Sequence, residues 1–104
     1  MNEALLALLK ALREHPPDPG KDCSEIAEDF AALAPGRILR VEPSRGQEVF
    51  VEENGRRAAF AYHEVFVSSE GQVFDPRHGG KPIPEAAYRR MVEGLNPGGG
   101  LRWH

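Results

Sequence analysis

Hydrophobic positions at the start of the chain repeat with the period of a helix. Charged residues separate them, so one side of the predicted helix is apolar, with Leu5, Leu6, Leu8, Leu9 and Leu12. This spacing predicts an amphipathic helix over residues 1–14, whose leucines need a partner surface. The segment HPPDPG follows with three prolines and a glycine, so we expect a proline-rich connection over residues 15–21.

A second helical pattern begins at Asp22. The carboxylate of Asp22 can accept a hydrogen bond as the N-cap, and Glu25 lies three residues further on. Apolar residues follow at helical spacing, namely Ile26, Ala27, Phe30, Ala31 and Leu33. The pattern ends at Pro35-Gly36, and Cys23 falls in the first turn of the predicted helix.

After Gly36 the pattern changes from helical to alternating. Residues 37–42, 47–52 and 57–68 are rich in Val, Phe and Ile and are separated by turns that contain glycine. We expect these runs to form three antiparallel strands, with a fourth short strand at residues 72–75.

The end of the chain predicts one more helix. Residues 84–95 carry a proline in the first turn, and residues 96–104 show no periodic pattern, so we expect a loose tail there. With 104 residues, of which 40% are hydrophobic, the chain suffices for one compact core, here residues 22–95. We therefore predict a single α+β domain with N-terminal helices packed on a small antiparallel sheet of about four strands.

Composition and charge indicate which partners and which cellular compartment to expect. The chain has 13 Lys and Arg against 16 Asp and Glu, so its formal charge of -3 creates no field that would attract nucleic acid or an anionic membrane. The N-terminal segment has an early Glu and no cleavage pattern, so it does not predict a signal peptide, and no apolar stretch has the length of a membrane span. A single cysteine forms no internal disulfide, so we expect a soluble chain that works in a reducing cytoplasm.

Three residues could together form a thiol active site: Cys23, His63 and Asp75. A free thiol titrates near pH 8.5, and the N-terminus of a helix favours its anion through unpaired amides and a positive dipole end. A histidine can activate such a thiol, and a carboxylate can orient the histidine. Individually, each residue is more often structural: a buried thiol, a hydrogen-bonded strand histidine and the start of a turn.

The turn Ser69-Glu70-Gly71 decides whether His63 and Asp75 can meet. A three-residue loop with Gly71 left-handed pairs residue 67 with 73 and 65 with 75, which makes His63 and Asp75 diagonal neighbours on one face. A shift by one residue would place them on opposite faces. The face of His63 also carries Ala61, Val65, Val67 and Val73, and we expect the second helix to cover it. The other face, with Phe60, Tyr62, Phe66 and Phe74, is expected to receive the first or last helix.

Other chemical patterns are weaker. Cys23, His63, Asp75 and His78 could bind zinc, but they lack short ligand spacings and provide one thiolate, so we expect no metal and no cofactor. The sequence His78-Gly79-Gly80 has no G-x-S-x-G partner and is expected to be a turn.

The segments DCSEIAEDFAAL, YHEVFV and VFDP together resemble papain-like toxin domains found at the C-termini of bacterial polymorphic secreted effectors. The resemblance covers about residues 20–78. It implies that Cys23 is the nucleophile, His63 the general base and acid, and Asp75 the residue that orients His63. It also implies cleavage, deamidation, transglutamination or acyl transfer on a protein substrate, delivery as a secreted effector into a target-cell cytoplasm, and a possible cognate immunity protein.

One feature departs from that family. Papain-like enzymes usually carry an amide side chain ahead of the cysteine, whereas this chain has Lys21 and Asp22. Lys21 is a candidate for the missing oxyanion donor, and the charge of Asp22 would oppose ionisation of the thiol. The alternative is a noncatalytic protein-binding module, such as an immunity or adaptor protein, that uses the sheet and the first helix as an interface.

Overall fold

The first two helices of the described chain begin at residues whose side chains cap them. The computed structural model describes residues 2–16, 22–46, 48–98 and 100–104. Within these ranges, three helices form: α1 (Glu3–Glu14), α2 (Cys23–Ala31) and α3 (Glu85–Leu95). The side chain of Asn2 caps α1 by accepting from the amides of Ala4 and Leu5, at 2.9 and 3.2 Å. None of the described helices is long and apolar enough to cross a membrane.

Seven strands are present in the same ranges: β1 (Gly36–Pro43), β2 (Val49–Glu53), β3 (Arg56–Phe60), β4 (His63–Ser68), β5 (Gln72–Phe74), β6 (Ile83–Pro84) and β7 (Leu101–Trp103). Five of them form an antiparallel sheet in the order β6-β5-β4-β1-β7, and β2 pairs with β3 in a separate hairpin. The predicted α+β class is confirmed, whereas the predicted sheet of about four strands is replaced by a five-stranded sheet and a hairpin.

The predicted strand over residues 57–68 is wrong in its continuity. A bend at Ala61 divides it into β3 and β4, which belong to different sheets. Phe60 pairs with Val49 in the hairpin, whereas His63 pairs with Val41 in the main sheet. Alternation reports which side chains face the core, and it does not report where the chain changes its pairing partner.

The predicted loose tail over residues 96–104 is also wrong in part. Residues of β7 pair with the free edge of β1, where Val41 lies opposite Trp103. The amide of His104 donates to the carbonyl of Arg40 at 2.8 Å, and the amide of Arg40 donates back to the carbonyl of His104 at 3.1 Å. The unpaired backbone of β1 provides this partner, which no pattern within the tail itself could indicate.

Two hydrophobic clusters lie on opposite faces of the main sheet. On one face, α1 and α2 pack over Phe66 and Phe74, with Leu5, Leu9, Ile26 and Phe30. On the other face, α3 and the β2–β3 hairpin cover the valines of the main sheet, Val65, Val67 and Val73. The hairpin contributes Val49 and Val51 to this cluster, and α3 contributes Tyr88 and Val92.

The prediction that α2 covers the valine face is therefore wrong. The ring of Phe30, on α2, lies 5.6 Å from that of Phe74 and 6.3 Å from that of Phe66, so the helix belongs to the phenylalanine face. The start of α2 approaches His63, where Cys23, Ile26 and Ala27 line a recess together with it.

Candidate active site

Cys23 is the first residue of α2. The carboxylate of Asp22 caps the helix by accepting from the amide of Glu25 at 3.0 Å. The amides of Cys23 and Ser24 have no acceptor among the described residues, and their free N–H groups point from the helix end. Asp22 thus holds the start of the helix, and Lys21 lies outside the described residues.

His63 and Asp75 form a buried pair. The Nε2 atom of His63 lies 3.0 Å from Oδ2 of Asp75, and only 1% and 5% of these residues is exposed. Gly71 has a φ of 78°, and Val67 pairs with Val73, so the predicted turn, this pair and the predicted contact are confirmed. The predicted pair of Val65 with Asp75 does not form, because the ladder ends at Phe66 and Phe74. Strand pairing ends at Phe74, so Asp75 leaves the strand and turns toward the imidazole.

Three donors surround the carboxylate of Asp75. Its Oδ2 atom accepts from the Nε2–H of His63 and from the hydroxyl of Tyr88, the latter at 2.9 Å. Its Oδ1 atom accepts from the backbone amide of Arg77 at 3.0 Å. With both oxygens engaged, the carboxylate has a fixed orientation, and the His63 tautomer that carries a proton on Nε2 is favoured.

The thiol of Cys23 reaches this pair through a gap in the sheet. Its Sγ atom accepts from the amide of Glu64 at 3.4 Å. β4 pairs with β5 only at Phe66 and Val67, so the amide of Glu64 has no strand partner on that side. The sulfur of Cys23 is the acceptor there instead. Since Nε2 of His63 is bound to Asp75, Nδ1 is the nitrogen left for the thiol, and this buried atom has no hydrogen-bond partner of good geometry in the described part of the chain.

Electrostatics favour the ionised thiol. Burial raises the pKa of the Cys23 thiol, but the adjacent imidazole of His63 and its charge, together with the Glu64 amide, outweigh it, so the pKa is lowered. Burial lowers the pKa of His63, whereas the charge and hydrogen bond of Asp75 outweigh that effect and raise the pKa to about 9. The pair therefore favours a thiolate beside an imidazolium.

The carboxylate and the phenol respond in opposite directions. Burial raises the pKa of Asp75, but the charge and hydrogen bond of His63, followed by the donors Tyr88 and Arg77, lower it below its usual range. Burial and the charge of Asp75 raise the pKa of Tyr88 well above its usual range. Tyr88 is therefore a permanent donor, and Asp75 is an ionised acceptor.

A surface cleft of about 180 Å³ gives access to the thiol. Its wall consists of Asp22, Cys23, Phe60, Ala61, Tyr62 and Arg77. The guanidinium of Arg77 lies 5.1 Å from the centroid of the Phe60 ring and 2.8 Å from a carboxylate oxygen of Glu53. His63 and Asp75 lie behind Cys23, where the three side chains line a smaller recess of about 10 Å³. Of the three central residues, only the cysteine faces the cleft.

His78 does not join the site. Its Nδ1 atom lies 3.3 Å from Oε2 of Glu52, and its amide and that of Gly79 donate to the carbonyl of Asp75, at 3.1 and 3.2 Å. The predicted turn is therefore confirmed. Among the described residues, no group of three or more His, Cys, Asp and Glu side chains is arranged to hold a metal ion.

Sequence reasoning missed Tyr88 and the backbone donors at Glu64 and Arg77. Tyr88 occupies a buried position on α3, together with Val92, and a tyrosine at an apolar helix position needs a partner for its hydroxyl. That signal was present in the sequence, but it does not name the partner. The contacts of the backbone amides depend on the path of the chain and leave no trace in residue type.

Comparison with known proteins identifies no relative of this chain. No family model matches the chain, and no curated protein or solved structure is significantly similar to it. The papain-like resemblance therefore stays a prediction, and the functional argument depends on the geometry of Cys23, His63 and Asp75.

Proposed function

We propose that the chain is a cysteine-dependent acyl-transfer enzyme of papain-like type. Cys23 is the nucleophile, His63 the general base and acid, and Asp75 the residue that orients the imidazole. One observation carries the proposal: a buried imidazole, bound to a carboxylate at 3.0 Å, lines one recess with a thiol at the N-terminus of a helix. Each element of that arrangement is needed to form and use a thiolate near neutral pH.

The first half of the reaction forms a thioester. The thiolate of Cys23 attacks the carbonyl carbon of an amide, and the carbonyl oxygen becomes an oxyanion. The amides of Cys23 and Ser24 are the available donors to that oxyanion, because they have no acceptor among the described residues. The imidazolium of His63 then gives its proton to the leaving nitrogen, the C–N bond breaks, and the acyl group remains on sulfur.

The second half returns the enzyme to its starting state. Neutral His63 takes a proton from water or from an amine, which attacks the thioester. The C–S bond breaks, the thiolate is restored, and the proton stays on the imidazole. Water gives hydrolysis or deamidation, and an amine gives transfer.

Lys21 remains a candidate second donor to the oxyanion, in the segment outside the described residues.

The size of the cleft supports a side chain of a protein as the substrate. A volume of about 180 Å³ beside the thiol accommodates one side chain more readily than a length of peptide. An exposed glutamine, with its amide at the end of a flexible stem, fits this description. Action as a delivered effector in a target cell, with a cognate immunity protein as inhibitor, belongs to the proposal through the resemblance of the sequence motifs.

A small activated ester tests the thioester step without knowledge of the substrate. Wild-type protein mixed with p-nitrophenyl acetate is expected to release a burst of p-nitrophenol and to gain one acetyl group on Cys23, read by intact mass and peptide mapping. Ser24→Ala is the matched control in the same helical turn and should retain the burst. A burst of equal size from Cys23→Ala would contradict the assignment.

A model protein then distinguishes the reaction classes. Casein incubated with the enzyme and a small primary amine should show an amide-to-acid mass change for deamidation, a gain of the amine for transfer, or fragments for proteolysis. The same products from Cys23→Ala would place their origin in a contaminant.

A further inference from the structure

The hydroxyl of Tyr88 donates to the carboxylate oxygen that also receives His63. The distance from the Tyr88 hydroxyl to Oδ2 of Asp75 is 2.9 Å, and Tyr88 is fully buried on α3. We propose that Tyr88 is a positioning residue of the active site, which fixes the ionised Asp75 against His63 and so maintains the imidazole that activates Cys23. The inference depends on the proposed function of that thiol.

The geometry gives Tyr88 a different role from that of the other donors. The amide of Arg77 holds Oδ1, so it restrains one oxygen but leaves the carboxylate free to turn about its bond. Tyr88 holds Oδ2 from the side of α3, so the two contacts together fix the plane of the group. When His63 loses its proton during the reaction, Tyr88 remains bound, because its pKa lies well above its usual range.

The acceptor of the Tyr88 hydroxyl distinguishes a role in the active site from a role in packing alone. A buried tyrosine needs one acceptor, and a backbone carbonyl satisfies that need at lower cost than a buried carboxylate. Here the acceptor is the charged group that orients the imidazole. The donor also stabilises the carboxylate form of Asp75, and that form is the one which supports an imidazolium beside Cys23.

Several titratable or charged groups surround this contact, among them Glu64 on β4, whose charge raises the pKa of Cys23. His63 comes from β4, Cys23 from α2, and Arg77 from the loop after β5, where Glu53 neutralises it at 2.8 Å. The ring of His78 lies edge-on at 6.3 Å from that of Tyr88, and its Nδ1 atom lies 3.3 Å from a carboxylate oxygen of Glu52. Loss of the Tyr88 hydroxyl therefore acts first on Asp75, its direct acceptor.

The test is the pH profile of Cys23 alkylation by iodoacetamide in the wild type, Tyr88→Phe and Val92→Ala. Without the hydroxyl, Asp75 takes up its proton at higher pH, the imidazolium loses its counter-ion, and the thiolate is protonated. The acid limb is the pH range in which the alkylation rate falls as the thiolate is protonated. In Tyr88→Phe this limb should lie about one pH unit higher than in the wild type. Val92→Ala removes buried volume from the same helix and should lower thermal stability without moving the limb.

The outcomes separate this inference from the proposed function. If Tyr88→Phe keeps the wild-type acid limb, the positioning role is wrong while the thiol assignment stands. If wild-type Cys23 itself reacts as an ordinary thiol, both fail. Should Tyr88→Phe not fold, 3-fluorotyrosine at position 88 keeps the ring and provides a stronger donor, so it should move the limb to lower pH. An unmoved limb in that variant would equally overturn the role of Tyr88.

Discussion

Nε2 of His63 lies 3.0 Å from Oδ2 of Asp75, across two strands whose pairing ends just before the residues meet. The register of β4 and β5 brings them together, and the departure of Asp75 from β5 opens the gap that the sulfur of Cys23 fills. A short turn thus determines how His63 and Asp75 meet, and the capped start of α2 brings Cys23 to them.

Replacing Asp75 with Asn should slow the reaction of Cys23 while leaving the fold in place. The amide retains a similar shape but removes the negative charge, so the pKa of His63 falls and that of the thiol rises. Alkylation near about pH 6 should decrease at least tenfold, since each pKa unit is a factor of ten in the thiolate population. Circular dichroism monitors the fold. A variant as reactive as the wild type would show that Asp75 does not act on the thiol.

Stability should fall with rising pH because of His63. Its pKa is raised from 6.5 to about 9 in the folded protein, so folding binds protons between these values. The contribution is fully present below about pH 6.5 and is lost as the pH passes through about 9, on the order of 3 kcal/mol. Cys23 acts in the opposite direction, since its lowered pKa adds stability as pH rises, so the measurement belongs in Cys23→Ala. In that variant Asp75, the larger cause, still raises the pKa of His63, whereas the smaller contribution of Cys23 is removed.

Urea unfolding of Cys23→Ala at about pH 6 and about pH 9 measures this difference. The double variant Cys23→Ala, His63→Gln has no group with a raised pKa at this position and is the control. Equal pH dependence in the two variants would remove His63 as the cause.

Asn96 should hold the β2–β3 hairpin against α3. Its side chain accepts from the amide of Phe50 and donates to the carbonyl of Phe50, both at 2.8 Å, and donates to that of Val92 at 2.7 Å. Asn96→Ala leaves these backbone groups without partners and should lower the free energy of unfolding by about 1–3 kcal/mol. Hydrogen exchange at the Phe50 amide should accelerate in that variant. The exposed substitution Glu48→Ala is the control. Unchanged hydrogen exchange at the Phe50 amide in Asn96→Ala would show that Asn96 does not hold the hairpin.

Two glycines should respond to alanine in opposite ways. A Cβ at Gly36 would collide with the carbonyl of Val67 and lie 2.5 Å from the ring of Phe66, so Gly36→Ala should cost about 1–3 kcal/mol. A Cβ at Gly94, on α3, meets nothing within 4 Å, so Gly94→Ala should stabilise the helix by about 0.5–1 kcal/mol. Thermal unfolding of both variants checks the signs, and destabilisation by Gly94→Ala would show that its surroundings are tighter than the structure indicates.

Local signals in the sequence predicted much of the site. Asp22 before an apolar helical stripe located the first turn of α2, and Gly71 at the end of a three-residue turn located Asp75 opposite His63. Both depend on a few neighbouring residues, so they can be interpreted without the rest of the chain. The predicted contact between His63 and Asp75 followed directly from that turn.

The rest depended on partners distant in sequence. Both faces of β4 carry large apolar side chains, so their pattern does not say which helix covers which face. Tyr88 lies 13 residues from its acceptor Asp75, and the strand that contains Trp103 exists because the edge of β1 is free. Such choices are made by the assembled sheet rather than by any segment of it.

The rate of Cys23 alkylation by iodoacetamide near about pH 6, in the wild type and in His63→Ala, tests the central claim most directly. The chain contains one cysteine, so the label reports on a single sulfur. The account predicts a wild-type rate at least about tenfold above that of His63→Ala, because the imidazolium stabilises the thiolate. Equally slow rates in both proteins, rising together only near the ordinary thiol pKa, would contradict it.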